Sequence, residues 1–199
     1  MPLADGFHDV APGRVATVVT YLEMREPAAP RPAALPEGCT IRRIESPDPV
    51  WYRDLFRRVG GQDWLWFSRL TMDDTALAAI IGDPDVEIHV LDRQGEAEGI
   101  LELDYREPGA CELAFFGVTP EMTGTTAGRC LMNAGIELAF ARKIELFHLH
   151  TCTLDHPRAL AFYRRSGFAP TRQQVEIQPD PRLSGLLPEE AGPHIPIFR

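Results

Sequence analysis

The sequence predicts an α+β domain with a mixed, twisted, mostly antiparallel sheet, and three observations carry that expectation. Between residues 86 and 118, apolar and polar side chains alternate in three runs separated by turns, the pattern of an antiparallel meander. A run from Thr123 to Lys143 then takes up helical spacing. A fourth alternating run, Ile144 to Thr153, follows it, so the helix can act as a crossover between two strands lying parallel.

The elements follow in order along the chain. Val15 to Leu22 is rich in β-branched residues and reads as a strand, whereas residues 26–38 contain four prolines and read as an extended connector. Thr40 to Ile44 is a short strand. Trp51, Tyr52, Leu55 and Phe56 stand three and four apart, as on an amphipathic helix, and Gly60 and Gly61 are expected to stop it. Asp73 or Asp74 can cap a further helix through Ala76, Leu77, Ile80 and Ile81, which Gly82 ends. In the meander, Val86, Ile88 and Val90 alternate, Asp92 to Gly95 turns, Leu101, Leu103 and Tyr105 alternate again, and Ala110 to Val118 forms the third strand. Ala127, Leu131, Ala134 and Leu138 trace one face of the crossover helix. Asp155 reads as the cap of a short helix through Tyr163, closed by Ser166 and Gly167, and Gln173 to Gln178 is the last strand.

Composition narrows the functions. The 199 residues are 44% hydrophobic and 25% charged, which excludes disordered, collagenous and disulfide-miniature proteins. With 29 acidic against 20 basic side chains the formal charge is −9, so a phosphate backbone would be repelled and no nucleic-acid partner is expected. The 4 cysteines form no Cys-x-x-Cys pair and read as reduced thiols. Apolar runs are far shorter than the roughly 20 residues a membrane helix needs, so the expectation is a cytoplasmic protein with no membrane partner.

The chemistry lies in two segments. In the first, the strand Glu112 to Val118 leads through Thr119, Pro120 and Glu121 into a loop of small residues, Thr123, Gly124, Thr125, Thr126, Ala127 and Gly128, that opens a helix. A helix start offers unpaired N–H groups and a positive dipole end, which suits a pyrophosphate, and glycine allows close approach. Gly124 and Gly128 alone would equally fit a tight turn and helix packing. The second segment runs from Asp155 to Phe168 and has the form Ala-x-x-x-Tyr-x-x-x-Gly-Phe at Ala159, Tyr163, Gly167 and Phe168.

Taken together, the two segments resemble the GCN5-related N-acetyltransferase (GNAT) family over roughly Thr40 to Gln178. The resemblance implies a sheet with a central splayed parallel pair, here Ala110 to Val118 and Ile144 to Thr153, flanked by helices. Residues 1–36 would be an N-terminal strand and proline-rich connector, 37–178 the acetyltransferase-like domain, and 179–199 an irregular C-terminal tail. Acetyl-coenzyme A would be the co-substrate, its pantetheine arm pairing with the backbone around Phe116, Gly117 and Val118 and its pyrophosphate meeting the amides of Thr123 to Gly128. The family loop usually reads Arg/Gln-x-x-Gly-x-Gly/Ala. Here Thr123 replaces the long polar residue and Thr126 a glycine, and the threonine hydroxyls are candidate phosphate donors.

The resemblance implies that Tyr163 is the general acid for the departing thiolate and makes Glu112 the leading candidate for general base. Ala114 and Phe116 beside Glu112 are expected to raise its proton affinity. The alternatives are a packed helix tyrosine and a surface carboxylate. Backbone amides near Phe116 and Gly117 would receive the oxyanion if the strand bulges there. His148, His150 and Cys152 alternate on one strand face, about 6.6 Å apart along the chain, too far for adjacent ligands of one ion, so no metal site is expected. Of Trp51, Tyr52, Phe56, Trp64, Trp66 and Phe67, most belong to the core and one or two to an acceptor pocket. The expected function is acetyl transfer to a primary amine of a small molecule or peptide, with a homodimer left open. The alternative is a non-catalytic acyl-coenzyme A sensor.

Overall fold

The computed structural model describes residues 3–199. In chain order the elements are β1 (Arg14–Met24), β2 (Cys39–Ile44), α1 (Pro49–Phe56), α2 (Gln62–Trp64), α3 (Asp74–Ile81), β3 (Val86–Arg93), β4 (Glu96–Asp104), β5 (Ala110–Val118), α4 (Ala127–Ala141), β6 (Leu146–Cys152), α5 (Ala159–Arg165) and β7 (Ala169–Pro179). All seven strands form one sheet in the order β2-β3-β4-β5-β6-β1-β7. Every pairing is antiparallel except β5 with β6. The fold is therefore the mixed, mostly antiparallel α+β architecture that the patterning predicts. Among the described residues no helix is long and apolar enough to cross a membrane.

The parallel pair is short. β5 and β6 are in register only at Ala110 with Leu146, Cys111 with Phe147 and Glu112 with His148. Past Glu112 the two strands part. β5 keeps β4 on its other side, while β6 turns its other edge to β1. The N-terminal strand thus lies between β6 and β7, antiparallel to both, and pairs Tyr21 with His150 and Val19 with Cys152. Nothing in the β-branched pattern of Val15 to Leu22 could place it there, because alternation specifies which face is buried but not which neighbour supplies the hydrogen bonds.

Two apolar layers sandwich the sheet. On one face Tyr52, Phe56 and Leu77 of α1 and α3 pack on Ile88 and Ile100. On the other, Leu131 and Ile136 of α4 and Phe168 after α5 pack on Leu101, Leu103 and Phe147. Burial of each such side chain contributes roughly 1.5–3 kcal/mol, so these layers hold the splayed strands against both sets of helices. The first layer also contains Leu187 and Ala191 of the C-terminal segment. That segment is tied down by Arg182, which pairs with Asp180 at 2.7 Å and donates to the carbonyls of Ala191 at 3.0 Å and Ile195 at 2.9 Å. Without periodicity it has no regular element of its own, yet a buried arginine with several carbonyl partners fixes its path.

Two local expectations need correction. Gly60 and Gly61 do not stop the first helix: the chain continues as a π turn over Arg57–Gly61 and then as α2. The reason is packing rather than termination, since the Trp66 indole lies where a side chain on Gly60 would stand, 2.1 Å from an ideal Cβ. The crossover helix begins at Ala127, not Thr123, because Pro120–Met122 winds as a 3-10 turn and Gly124 adopts φ +84°.

Candidate active site

The gap between β5 and β6 opens into a cleft of about 480 Å³. Its floor is the unpaired edge of β5, one wall is the loop into α4 together with α5, and the other is the aromatic segment after α1. β5 bulges at Ala114, where Glu102 faces Phe115 and Leu103 faces Leu113. The irregularity lies two residues before the expected Phe116 and Gly117, and it turns Phe116 toward α5 and Phe115 toward α1.

At the loop end, Gly124, Thr125, Gly128 and Arg129 line the cleft. The main-chain N–H groups of Gly124, Thr126, Gly128 and Arg129 donate to no acceptor among the described residues, whereas the Ala127 N–H is capped by Thr125 Oγ1 at 3.1 Å. Side chains on Gly124 or Gly128 would meet nothing within 4 Å, so the space in front of these donors is open. The threonine hydroxyls are spent elsewhere: Thr123 donates to the Thr119 carbonyl, Thr125 to that of Met122 and Thr126 to that of Ala34. The expectation that they donate to phosphate is therefore corrected, because a hydroxyl has one proton to give and each is committed to the loop's own backbone.

Cationic charge comes from residues that the loop pattern did not single out. Arg129 lines the cleft, lies 4.5 Å over the Phe162 ring and donates to Ser166 Oγ at 2.8 Å. Burial, and then the charges of Arg31 and Arg165, hold its guanidinium below its ordinary value. Three mutually repelling arginines beside a ring of free amides suit a ligand with several negative charges. Arg129 beside Gly128 and Arg165 beside the Gly167-Phe168 signature were legible as neighbours of motifs. Arg31 was not, since it arrives on the proline-rich connector, where its carbonyl accepts from Asn133.

Tyr163 lines the middle of the cleft. Its ring packs against Phe116, Phe162 and Phe168, and only 9% of the residue is exposed. The hydroxyl has no hydrogen-bond partner among the described residues. Burial, with the nearby Asp155 charge, pushes its pKa well up, so the proton stays on the oxygen at neutral pH.

Glu112 does not line this cleft. It stands at the apex of the splay beside His148, and its Oε1 lies 3.6 Å from Nδ1 of His150, which does face the cleft. The neighbouring His150 imidazole lowers the Glu112 pKa and burial offsets this only in part, so the expected rise in proton affinity is corrected. The same contact raises His150, helped by the charges of Asp155 and Glu176. The titrating group in the cleft near neutrality is thus the imidazole, with Glu112 behind it.

Trp64, Trp66, Phe67 and Phe115 face the cleft, while Tyr52 and Phe56 are fully buried. Trp66 is held by Asp155, whose Oδ1 accepts from the indole N–H at 3.0 Å while Oδ2 accepts from Thr151 Oγ1 at 2.7 Å and the Cys152 N–H at 2.9 Å. Asp155 therefore fastens the end of β6 to the aromatic wall and does not cap α5, whose cap position is Arg158. Beneath that wall Glu102, fully buried, accepts from Tyr52 and Arg69, anchoring the segment to the sheet. Gly60 and Gly117 allow Trp66 to lie flat, and Gly60→Ala should therefore destabilise the fold by about 1–3 kcal/mol through overpacking. Urea unfolding checks this, and an unchanged midpoint would mean that the indole has room to move.

A sheet that splays at its parallel pair, with free amides and arginines at one end and a buried tyrosine and a histidine facing the gap, is the fold that the sequence resemblance implies. The family comparison agrees: the Acetyltransferase (GNAT) family pattern matches residues 45–168, and the chain belongs to that family. Among curated proteins none matches the sequence. Its fold is similar to that of a GCN5-related N-acetyltransferase from Sphaerobacter thermophilus, with 18% identity over 85% of this chain and 52% of the other and a TM-score of 0.60. It is also similar to a GCN5-related N-acetyltransferase from Kribbella flavida, with 17% identity over 87% and 63% and a TM-score of 0.55. An aminoglycoside acetyltransferase from an uncultured soil metagenomic sample, in complex with trehalose, matches with 16% identity over 65% and 88% and a TM-score of 0.51. The chain spans about half the length of the Sphaerobacter protein.

Proposed function

We propose that this chain transfers an acetyl group from acetyl-coenzyme A directly to a primary amine of a small molecule or peptide. The observation that carries the reading is the hydroxyl of the largely buried Tyr163, without a hydrogen-bond partner among the described residues and facing a cleft whose far end is a ring of free amides. The free N–H groups of Gly124, Thr126, Gly128 and Arg129, backed by Arg31 and Arg165, fit the phosphates of coenzyme A, and the unpaired edge of β5 at Phe116, Gly117 and Val118 fits its extended arm. Thr123 and Thr125 give their hydroxyl protons to carbonyls of the loop itself and Thr125 Oγ1 accepts from the Ala127 N–H, so these residues shape the loop. Bound there, the co-substrate supplies an electrophilic thioester carbonyl.

The residues divide the proton work. His150, with Nδ1 toward Glu112 and no hydrogen-bond partner among the described residues, takes the proton that the acceptor ammonium must lose before its lone pair can attack. The bulge at Ala114 supports a backbone amide there as the receiver of the oxyanion. Tyr163 gives its proton to the leaving sulfur, so that free thiol and amide are the products. A thiol intermediate is disfavoured because burial raises Cys152 in the cleft and pushes Cys111 up to about 12, leaving neither as thiolate.

Two measurements test the reading. With a panel of primary amines, free thiol should be released from acetyl-coenzyme A, while a sensor would bind it and release none with any amine. Gly128→Val places a branched side chain in the open space before the free amides, and it should weaken coenzyme A binding by about 100-fold in calorimetry while leaving thermal unfolding nearly unchanged. Unchanged affinity would place the pyrophosphate elsewhere.

A further inference from the structure

Resting on the acetyltransferase reading, we infer that the acceptor is a diamine-like molecule, carrying a second positive charge a few bonds from the acetylated nitrogen, and that Glu176 receives that charge. The charges around the cleft are divided. Arg129 and Arg165 stand with the loop and α5 at the phosphate end, and Arg158 is an exposed rim residue beside His156. Two carboxylates line the cleft as well, Asp155 and Glu176, and Asp155 is already committed to Trp66, Thr151 and Cys152.

Glu176 is different. It lines the cleft from β7, opposite Thr17 of β1, and its only side-chain hydrogen bond among the described residues is accepted from the amide of Gln178 on its own strand. No arginine, lysine or histidine among the described residues lies within ion-pair distance of it. It shares the lining of this cleft with His150 and Cys152, so one acceptor molecule can meet both the carboxylate and the imidazole. Trp64, Trp66, Phe67 and Phe115 line the same cavity, and aromatic faces attract a cation that has lost part of its water.

A single amine cannot satisfy this arrangement, because the nitrogen that attacks must be neutral. A second ammonium remains charged throughout and can stay against Glu176 and the aromatic wall. An acceptor with a carboxylate in that position would face Glu176 with like charge. The formal net charge of −9 steers the same class of molecule toward the protein.

The test uses the full chain saturated with coenzyme A and three probes of matched length, 1,5-diaminopentane, pentylamine and 5-aminopentanoate. In calorimetry the diamine should bind about tenfold more tightly than pentylamine, with 5-aminopentanoate weakest of the three. Glu176→Gln should bring diamine and monoamine to within about twofold of each other with no change in thermal unfolding, since the residue is exposed. Equal binding of the three probes, no binding of the diamine, or a diamine preference that survives Glu176→Gln would each overturn the inference. Thiol release from acetyl-coenzyme A, read in parallel, separates the two readings. Selective diamine binding without thiol release with any amine would remove the acetyltransferase reading and leave the charge recognition standing. Thiol release at equal efficiency from pentylamine and the diamine would do the opposite.

Discussion

Tyr163→Phe is expected to lower turnover by about 100-fold or more while thermal unfolding and coenzyme A affinity stay within error. The hydroxyl has no protein partner, so its removal breaks no internal hydrogen bond, and the ring contacts with Phe116, Phe162 and Phe168 remain. What is lost is a cleft-facing O–H whose proton is held tightly by burial of the residue and by the Asp155 charge. A thiolate leaving without a donor must wait for water in a site lined by aromatic rings. Two outcomes would contradict the assignment. Undiminished turnover would mean that the proton comes from elsewhere, and a drop in stability would mean that the hydroxyl has a structural partner.

The second large effect concerns His150 and Glu112, and its sign separates their roles. Glu112 raises the imidazole pKa, so the acidic limb of kcat/KM for the acceptor should lie above the ordinary histidine value of about 6.5. Glu112→Gln removes the charge that stabilises the imidazolium, and the limb should then move to lower pH. If Glu112 itself were the base, the limb would vanish and the plateau would fall instead. His150→Gln is expected to lower the plateau by about 100-fold, since the other imidazole of the cleft, His156, accepts the Arg158 N–H on Nδ1 and so holds its own proton on Nε2. A Glu112→Gln profile that overlays the native one would leave Glu112 without influence on the reaction.

These expectations depend on features that were legible in the sequence to different degrees. The alternation of residues 86–118, the crossover helix and the tyrosine helix were readable because burial imposes a period of two or of about 3.6 on local sequence. Tyr163 and the glycine loop were readable for a related reason: each belongs to a contiguous run whose spacing is itself the signal. Three of the six early aromatics proved to line the cleft, and which three depended on the π turn at Arg57–Gly61 that swings Trp64, Trp66 and Phe67 around.

From the sequence alone, then, came the strand and helix periods, the acidic charge, the phosphate-type loop and the tyrosine motif, all of which are written in neighbouring residues. Only the tertiary structure decided that β1 lies between β6 and β7, that Arg31 joins Arg129 and Arg165, that Asp155 holds Trp66, and that Glu112 acts on His150 rather than on the cleft. Each of these contacts joins residues far apart in the chain. Hydrogen bonds and ion pairs depend on distance in space and leave no period in the sequence, so the partners become visible only once the backbone has brought them together.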